Sequence, residues 1–231
     1  MSTTHTGNMA VIFYGPPGSG KGTQAQLLAD ALHLFHFDSG DYLRRLLNDP
    51  EHKDDESIKR ERELNEAGKL NTPSWVLDMV IRQVNELAQL GESVVFSGSP
   101  RTLYEAFGDG ERTGLLAFLK EKYGKENVHI FSLKIPDETT MQRNSHRTIC
   151  SVCKKPLLEA EHAPSVCPFC GGAVEHRVDD TTEIIARRIK EYHERTEPII
   201  AESVKQGYNV IELDGLPAPY KIHEAIMAHL K

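Results

Sequence analysis

The sequence lacks any apolar run approaching the ~20 residues of a membrane-spanning helix, so a chain threaded through a bilayer on helices is excluded. It also lacks a positive balance. Lys and Arg number 27 against 34 Asp and Glu, a formal net charge of −7, which excludes a surface given over as a whole to nucleic acid or acidic membrane. The opening residues, MSTTHTGN, have neither the basic nor the apolar region of a signal peptide, and the expected compartment is the cytoplasm. There is no internal repeat and no low-complexity tract. Cysteine is scarce, and its four copies fall together as Cys150-Ser-Val-Cys153 and Cys167-Pro-Phe-Cys170. In a chain without a secretion signal, that clustering reads as metal ligation before disulfides.

What is present suits a soluble enzyme. Hydrophobic residues make up 39% and charged residues 26% of 231, which rules out a disordered or collagen-like chain and allows a sizeable core. Residues 1–8 are small and polar, a frayed tail. Met9–Tyr14 is a continuous apolar run ending at a glycine-rich loop, the pattern of a buried parallel strand. A helix is expected to follow, because apolar residues recur at 25, 27, 28, 31, 32 and 34. Strands are also expected at 93–98, 127–135 and 208–215, with helical patterns between them. Alternating strand and helix means a doubly wound α/β fold with a parallel sheet. Its ligands bind beyond the carboxyl ends of the strands, where the loops after Tyr14 and Phe96 lie. The charged segment 48–69 reads as a solvated helix face. Residues 148–176 lack helical periodicity and hold the cysteines, so they read as a metal-stapled insertion between helices at 137–146 and 181–206.

The strongest chemical signal is Gly15-Pro-Pro17-Gly18-Ser19-Gly20-Lys21, followed by Gly22 and Thr23. Its glycines let backbone N–H groups turn inward around phosphate oxygens, the next helix adds its positive end, and Lys21 reaches the terminal phosphates. Gly22 separates the lysine from the Thr23 hydroxyl, a departure from the general form of this loop. The second strong signal is the C-x2-C-x13-C-x2-C pattern of Cys150, Cys153, Cys167 and Cys170. Two tight knuckles place four thiolates on one Zn2+, which leaves no open position for water or substrate and makes the metal structural.

The form GPPGSGKGTQAQ resembles the nucleoside monophosphate kinases, the adenylate kinases in particular. Further matches follow in order: SGDYLR from Ser39, GKLNT from Gly68, SGSPRT from Ser97, RNSHR from Arg143, HRVDD from His176, RRIKEYHERTEPI from Arg187, and LDG from Leu213. The resemblance covers nearly the whole chain after residue 8. It implies phosphoryl transfer from ATP to AMP with Mg2+, giving two ADP, in a monomer with no nucleic-acid or membrane partner. It implies a P-loop core at 9–37, 72–145 and 181–231, a helical acceptor-binding insertion at 38–71 and a zinc-stapled lid at 146–180. ATP would lie on Pro17, Gly18, Ser19, Gly20, Lys21, Gly22 and Thr23, flanked by Arg143 and Arg147. The acceptor would lie among Ser39, Arg44, Lys69, Leu70, Asn71, Gly98, Arg101 and Glu105, with Arg177 and Arg188 neutralising the transferring group. These arginines with Lys21 would put seven of the 27 cations around one cleft.

The sequence departs from that pattern in identifiable places. Ser97 stands where the family carries an Asp that orders magnesium-bound water, which leaves Asp41 as the nearby acid and implies weaker magnesium affinity. Glu105 stands where a Gln meets the acceptor base; an ionised carboxylate only accepts hydrogen bonds, so GMP, UMP or CMP remain alternative acceptors. Asn71 replaces an apolar residue, and Pro156 and Leu157 replace a hydroxyl and aromatic pair. Extra residues lie around 107–127. A nucleotide-binding sensor with little turnover is the reading from another class. A zinc-ribbon nucleic-acid module is disfavoured, because the segment between the knuckles is neither basic nor aromatic.

Overall fold

A strand with no polar residue is stable only where both of its faces are covered, and β1 (Ala10–Tyr14) is buried at all five positions. In the computed structural model, which describes residues 8–67, 69–153, 155–157, 165–176 and 181–230, the chain runs from β1 through the glycine-rich loop into α1 (Lys21–Leu32). There follow β2 (Phe35–Phe37), α2 (Ser39–Leu47), a short 3-10 turn, α3 (Glu56–Glu66), α4 (Pro73–Gln89) and β3 (Val94–Phe96). Next come α5 (Leu103–Phe107), α6 (Leu115–Tyr123), β4 (Val128–Lys134) and α7 (Asp137–Ser145). The strands β5 (Thr148–Cys150), β6 (Pro156–Leu157) and β7 (Val174–His176) precede α8 (Thr182–Glu191), α9 (Glu197–Lys205), β8 (Val210–Asp214) and α10 (Pro219–His229).

The main sheet has the order β2-β3-β1-β4-β8 and is parallel at every pairing. Because side chains alternate along a strand, β1 feeds two cores. Ala10, Ile12 and Tyr14 face the layer of α4, α6 and α9, through Val76, Leu77, Val80, Val84, Leu116, Leu119, Ile199 and Ile200. Val11 and Phe13 face α1 and α10, through Ala25, Leu28, Ile222 and Ile226. Phe13 also stacks on Phe131, its register partner in β4, with ring centroids 5.5 Å apart. This is the doubly wound arrangement expected from the alternation of elements. Among the described residues no helix is long and apolar enough to cross a membrane.

Four local features go beyond the sequence expectation. Strand β2 has only three residues, with one exposed and one buried end, too short to show a period. The cysteine segment carries its own antiparallel sheet, in the order β6-β5-β7. The extra residues around 107–127 form a tight loop and then α6, which buries Leu115, Leu116, Leu119 and Tyr123 in the core. That loop demands glycine: a Cβ on Gly114 would fall 2.3 Å from the carbonyl carbon of Phe107. Finally, the helix expected at 181–206 is continuous but widens into a π turn at Tyr192–Thr196. Pro198 follows at once and has no N–H to complete an α turn there, so one residue is looped out.

His193 lies in that π turn and bridges two elements, with Nδ1 2.8 Å from Glu197 Oε2 and Nε2 3.0 Å from Asp137 Oδ1. The hydrogen bonds to Glu197 and Asp137 hold its pKa above the ordinary value. A folded-state value above the unfolded one adds stability that is complete below the unfolded pKa and lost as pH rises through the folded one. The Tm advantage of wild type over His193→Gln is therefore expected to be larger at about pH 6 than at alkaline pH. Melting curves of both proteins across that range test it, and a constant difference would contradict the assignment.

Candidate active site

The carboxyl end of β1 delivers Gly15 into the glycine-rich loop. Gly18 has φ +78°, and a Cβ there would lie 2.6 Å from Asn144 Nδ2, so only glycine lets the loop pack against α7. The helix α1 begins with no capping side chain and no acidic residue in its first turn. Its first N–H groups and positive end are thus left for an anion. Lys21 Nζ donates to the carbonyls of Gly15 (2.7 Å) and Pro16 (2.8 Å), within the loop itself. The Ser19 hydroxyl is buried without a hydrogen-bond partner. Pro17, Gly20, Gly22 and Thr23 complete the loop and the first turn of α1.

Arg143, near the end of α7, clasps this loop from the side. It donates to the carbonyls of Gly18 (3.2 Å), Gly215 (2.9 Å) and Leu216 (3.2 Å), joining the phosphate loop to the turn after β8. Arg147 follows α7, and its charge is felt at Lys21, as is that of Arg101. Burial, then Arg101 and Arg147, push the Lys21 pKa down to about 7, against an opposing pull from Asp38. Two cations from two other loops therefore act on Lys21, and Asp38 opposes them.

A second group gathers at the ends of β2 and β3. Arg101 Nε donates to the Gly98 carbonyl (2.6 Å). A Cβ on Gly40 would lie 3.5 Å from both Arg101 Nη2 and Arg44 Nη1, and 3.3 Å from Asp38 Oδ1, so these side chains converge over the start of α2. Gly98 permits that approach, since a Cβ there would lie 2.6 Å from Ser39 Oγ. The Ser39 hydroxyl is itself buried without a hydrogen-bond partner. Arg188 lies on α8, and Lys69 and Leu70 lie in the segment between α3 and α4. Arg177 lies outside the described residues.

An adenylate kinase model matches residues 13–208. The chain belongs to the adenylate kinase family. It is 31% identical over 226 residues to the adenylate kinase of Methanosarcina barkeri, across 96% of this chain and 99% of that one. The adenylate kinase of Dehalococcoides mccartyi is 29% identical over 223 residues, covering 96% and 97% of the two chains. That of Methanothrix thermoacetophila is 31% identical over 201 residues, covering 86% and 88%.

Within this adenylate kinase fold, two of the departures found in the sequence have local partners. Glu105 Oε2 accepts from the Arg101 N–H (2.9 Å) and Oε1 from the Thr102 hydroxyl (3.0 Å), while Thr102 Oγ1 accepts from the Glu105 N–H (3.2 Å). Thr102 thus caps α5, and the carboxylate braces the loop that presents Arg101. Burial pushes its pKa up, and these donors and the Arg101 charge only partly offset that. The Asn71 side chain points into the helical segment 38–71, donating to the Glu61 carbonyl (2.7 Å) and carboxylate (3.1 Å).

Two residues that sequence reasoning passed over lie beside Ser97 and the start of α2. His36 Nε2 lies 2.8 Å from Ser97 Oγ and its Nδ1 3.1 Å from Gln26 Oε1; burial lowers its pKa despite nearby Asp38. Asp38 follows β2 directly, one step beyond the register pair Phe37–Phe96 and so beside Ser97. Its Oδ1 accepts the Asp41 N–H (3.0 Å). Asp41 is itself engaged by Arg44 and Arg45. The signal for Asp38 was its place at a strand's carboxyl end, hidden because β2 is so short.

The four cysteine sulfurs lie within 4.8 Å of one another, with Cys150 to Cys170 at 3.4 Å and Cys153 to Cys167 at 3.7 Å. Tetrahedral zinc with Zn–S bonds of about 2.3 Å needs sulfurs ~3.8 Å apart, so the donor set fits that ion. Backbone N–H groups of Val152 and Cys153 point at Cys150 Sγ, and that of Phe169 at Cys167 Sγ. Such donors stabilise thiolates.

The lowered Lys21 pKa makes a testable statement. A bound polyphosphate restores the lysine's ordinary proton affinity, so binding between about pH 7 and pH 10 takes up a proton. Calorimetric titration with ATP at about pH 8.5, in buffers of different ionisation enthalpy, is expected to show uptake of roughly one proton, abolished by Lys21→Met. Zero uptake by wild type would refute it.

Proposed function

We propose that this chain transfers the γ-phosphoryl group of ATP to AMP, reversibly, giving two ADP. The observation that carries the reading is the glycine-rich loop before the uncapped start of α1, with Lys21 Nζ on the Gly15 and Pro16 carbonyls and the charges of Arg101 and Arg147 bearing on it. Two polyanions meeting in line require such cations and no nucleophilic side chain. An oxygen of the AMP phosphate forms the new bond to the γ-phosphorus as the bond to the β-phosphate bridging oxygen breaks. The loop from Pro17 to Thr23 and the start of α1 hold the donor phosphates, with Arg143 and Arg147 beside them. Arg44 and Arg101 hold the acceptor phosphate, assisted by Ser39 and the close approach at Gly98. Backbone groups of Lys69, Leu70 and Asn71 line the acceptor's sugar and base, and Glu105 serves by bracing Arg101. Arg188, with Arg177, neutralises the transferring group. The segments 38–71 and 146–180 close over the two nucleotides and exclude water, which would otherwise intercept the phosphoryl group. The chain acts as a monomer.

Mg2+, the ion used with ATP in this family, would be held by substrate phosphates, waters and the carboxylates of Asp38 and Asp41; when bound it neutralises phosphate charge. Hard oxygen donors beside the phosphate loop suit it. Zn2+ would be held by the four cysteines as a structural staple.

Coupled assay of ADP formation from ATP with AMP, GMP, UMP or CMP is expected to show turnover with AMP far above the others, in a sample holding one zinc per chain. Absence of AMP-dependent turnover would favour the nucleotide sensor instead. For the metal, Asp38→Asn keeps a side chain able to cap α2 while removing the charge. It is expected to raise the Mg2+ needed for half-maximal rate several-fold, with the AMP KM within about twofold. An unchanged Mg2+ requirement would remove Asp38 from this role.

A further inference from the structure

The mechanism makes no use of one buried charged group, the carboxylate of Glu61. It lies on α3, whose other charged residues are solvated, yet Glu61 is 0% exposed. Its Oε2 accepts from the Thr72 N–H (2.8 Å) and from Asn71 Nδ2 (3.1 Å). Asn71 Nδ2 also donates to the Glu61 carbonyl (2.7 Å), and Asn65 donates to Asn71 Oδ1 (3.3 Å). Thr72 stands at the N-terminal end of α4, where no side chain of its own caps the helix, so the carboxylate also faces the positive end of that helix. Burial alone raises a carboxyl pKa, but the Thr72 and Asn71 donors, with the Arg60 guanidinium 3.4 Å from Oε1, prevail and hold Glu61 below its ordinary value. The other end of the same segment is held from outside: Arg187 of α8 donates to the Ala67 carbonyl.

Two apolar side chains at 61 and 71 would join α3 to the segment 69–72 equally well, but apolar contact tolerates sliding. Directional bonds to one backbone N–H and one amide do not. We infer that Glu61 and Asn71 form a polar latch that sets the register of residues 69–72, making Glu61 a positioning residue for the acceptor nucleotide. This rests on the reading above that the backbone of Lys69–Asn71 lines the acceptor pocket. It also accounts for Asn71 in place of an apolar residue: its side chain serves the latch and its backbone the pocket.

The test compares wild type with Glu61→Gln, Glu61→Leu and the double variant Glu61→Leu/Asn71→Val. The measurements are hydrogen exchange at the Thr72 amide, Tm, and KM for AMP and ATP with kcat. Glu61→Gln keeps an acceptor oxygen and is expected to stay close to wild type. Glu61→Leu is expected to speed Thr72 exchange and raise the AMP KM roughly tenfold, with ATP KM and kcat within about twofold. The double variant restores an apolar contact and is expected to recover Tm while the AMP KM stays high. It also carries the test alone if Glu61→Leu does not fold. Recovery of the AMP KM together with Tm in the double variant would reduce the latch to a stability element. An unchanged AMP KM with faster Thr72 exchange would likewise overturn the proposal. If wild type itself shows no AMP-dependent turnover, the reading of the site fails and the acceptor role falls with it, while Thr72 exchange still reports the bonds of the latch.

Discussion

The burial of β1 on both faces is the constraint on which the rest depends. A five-residue apolar strand at the centre of a parallel sheet can be covered only by helices on both sides. Its neighbours β3 and β4 run parallel to it, so their carboxyl ends lie on the same side of the sheet, β3 stopping opposite Ile12 and β4 running two residues past the partner of Tyr14. Each strand end then releases a loop at one edge of the sheet: the phosphate loop after Tyr14, the Gly98–Arg101 turn after Phe96, and α7 after Lys134. Their cations come to the same side because the strands are parallel and point their carboxyl ends one way.

Such cations repel, and the protein manages this with backbone oxygen. Lys21 rests on two loop carbonyls, Arg143 on three, and Arg101 on that of Gly98. These neutral acceptors fix the direction of each positive group. Two of the acids among the described residues also make local bonds. Glu105 accepts from the Arg101 backbone N–H, and Asp41 pairs with Arg44 and Arg45. A chain of net charge −7 thereby keeps a site for anions.

Departures at single positions became intelligible only as pairs. Ser97 looked like a lost carboxylate, yet its hydroxyl meets His36, and Asp38 stands beside it one strand over. Asn71 looked like a polar residue in a base pocket, yet its amide belongs to Glu61, ten positions earlier. Glu105 looked like an altered base contact, yet it braces the backbone of Arg101. Each partner lies on another turn, strand or helix, and linear spacing holds no record of that.

The sequence by itself determined the parallel α/β class, the phosphate loop and the cysteine quartet. Those signals are local: an apolar run, glycines at fixed offsets before a lysine, and paired knuckles act over a few residues. It also determined that the charged segment 48–69 would be largely solvated helix. Only the tertiary structure decided that Glu61 within that segment is buried, that β2 exists, and that the extra residues around 107–127 build α6 into the core. Three residues are too few to reveal a period, and a carboxylate is buried only when donors from elsewhere in the chain offset its lost hydration. Those donors reach it through folding, so the side-chain partners that tune this site were fixed by the packing of elements rather than by their order.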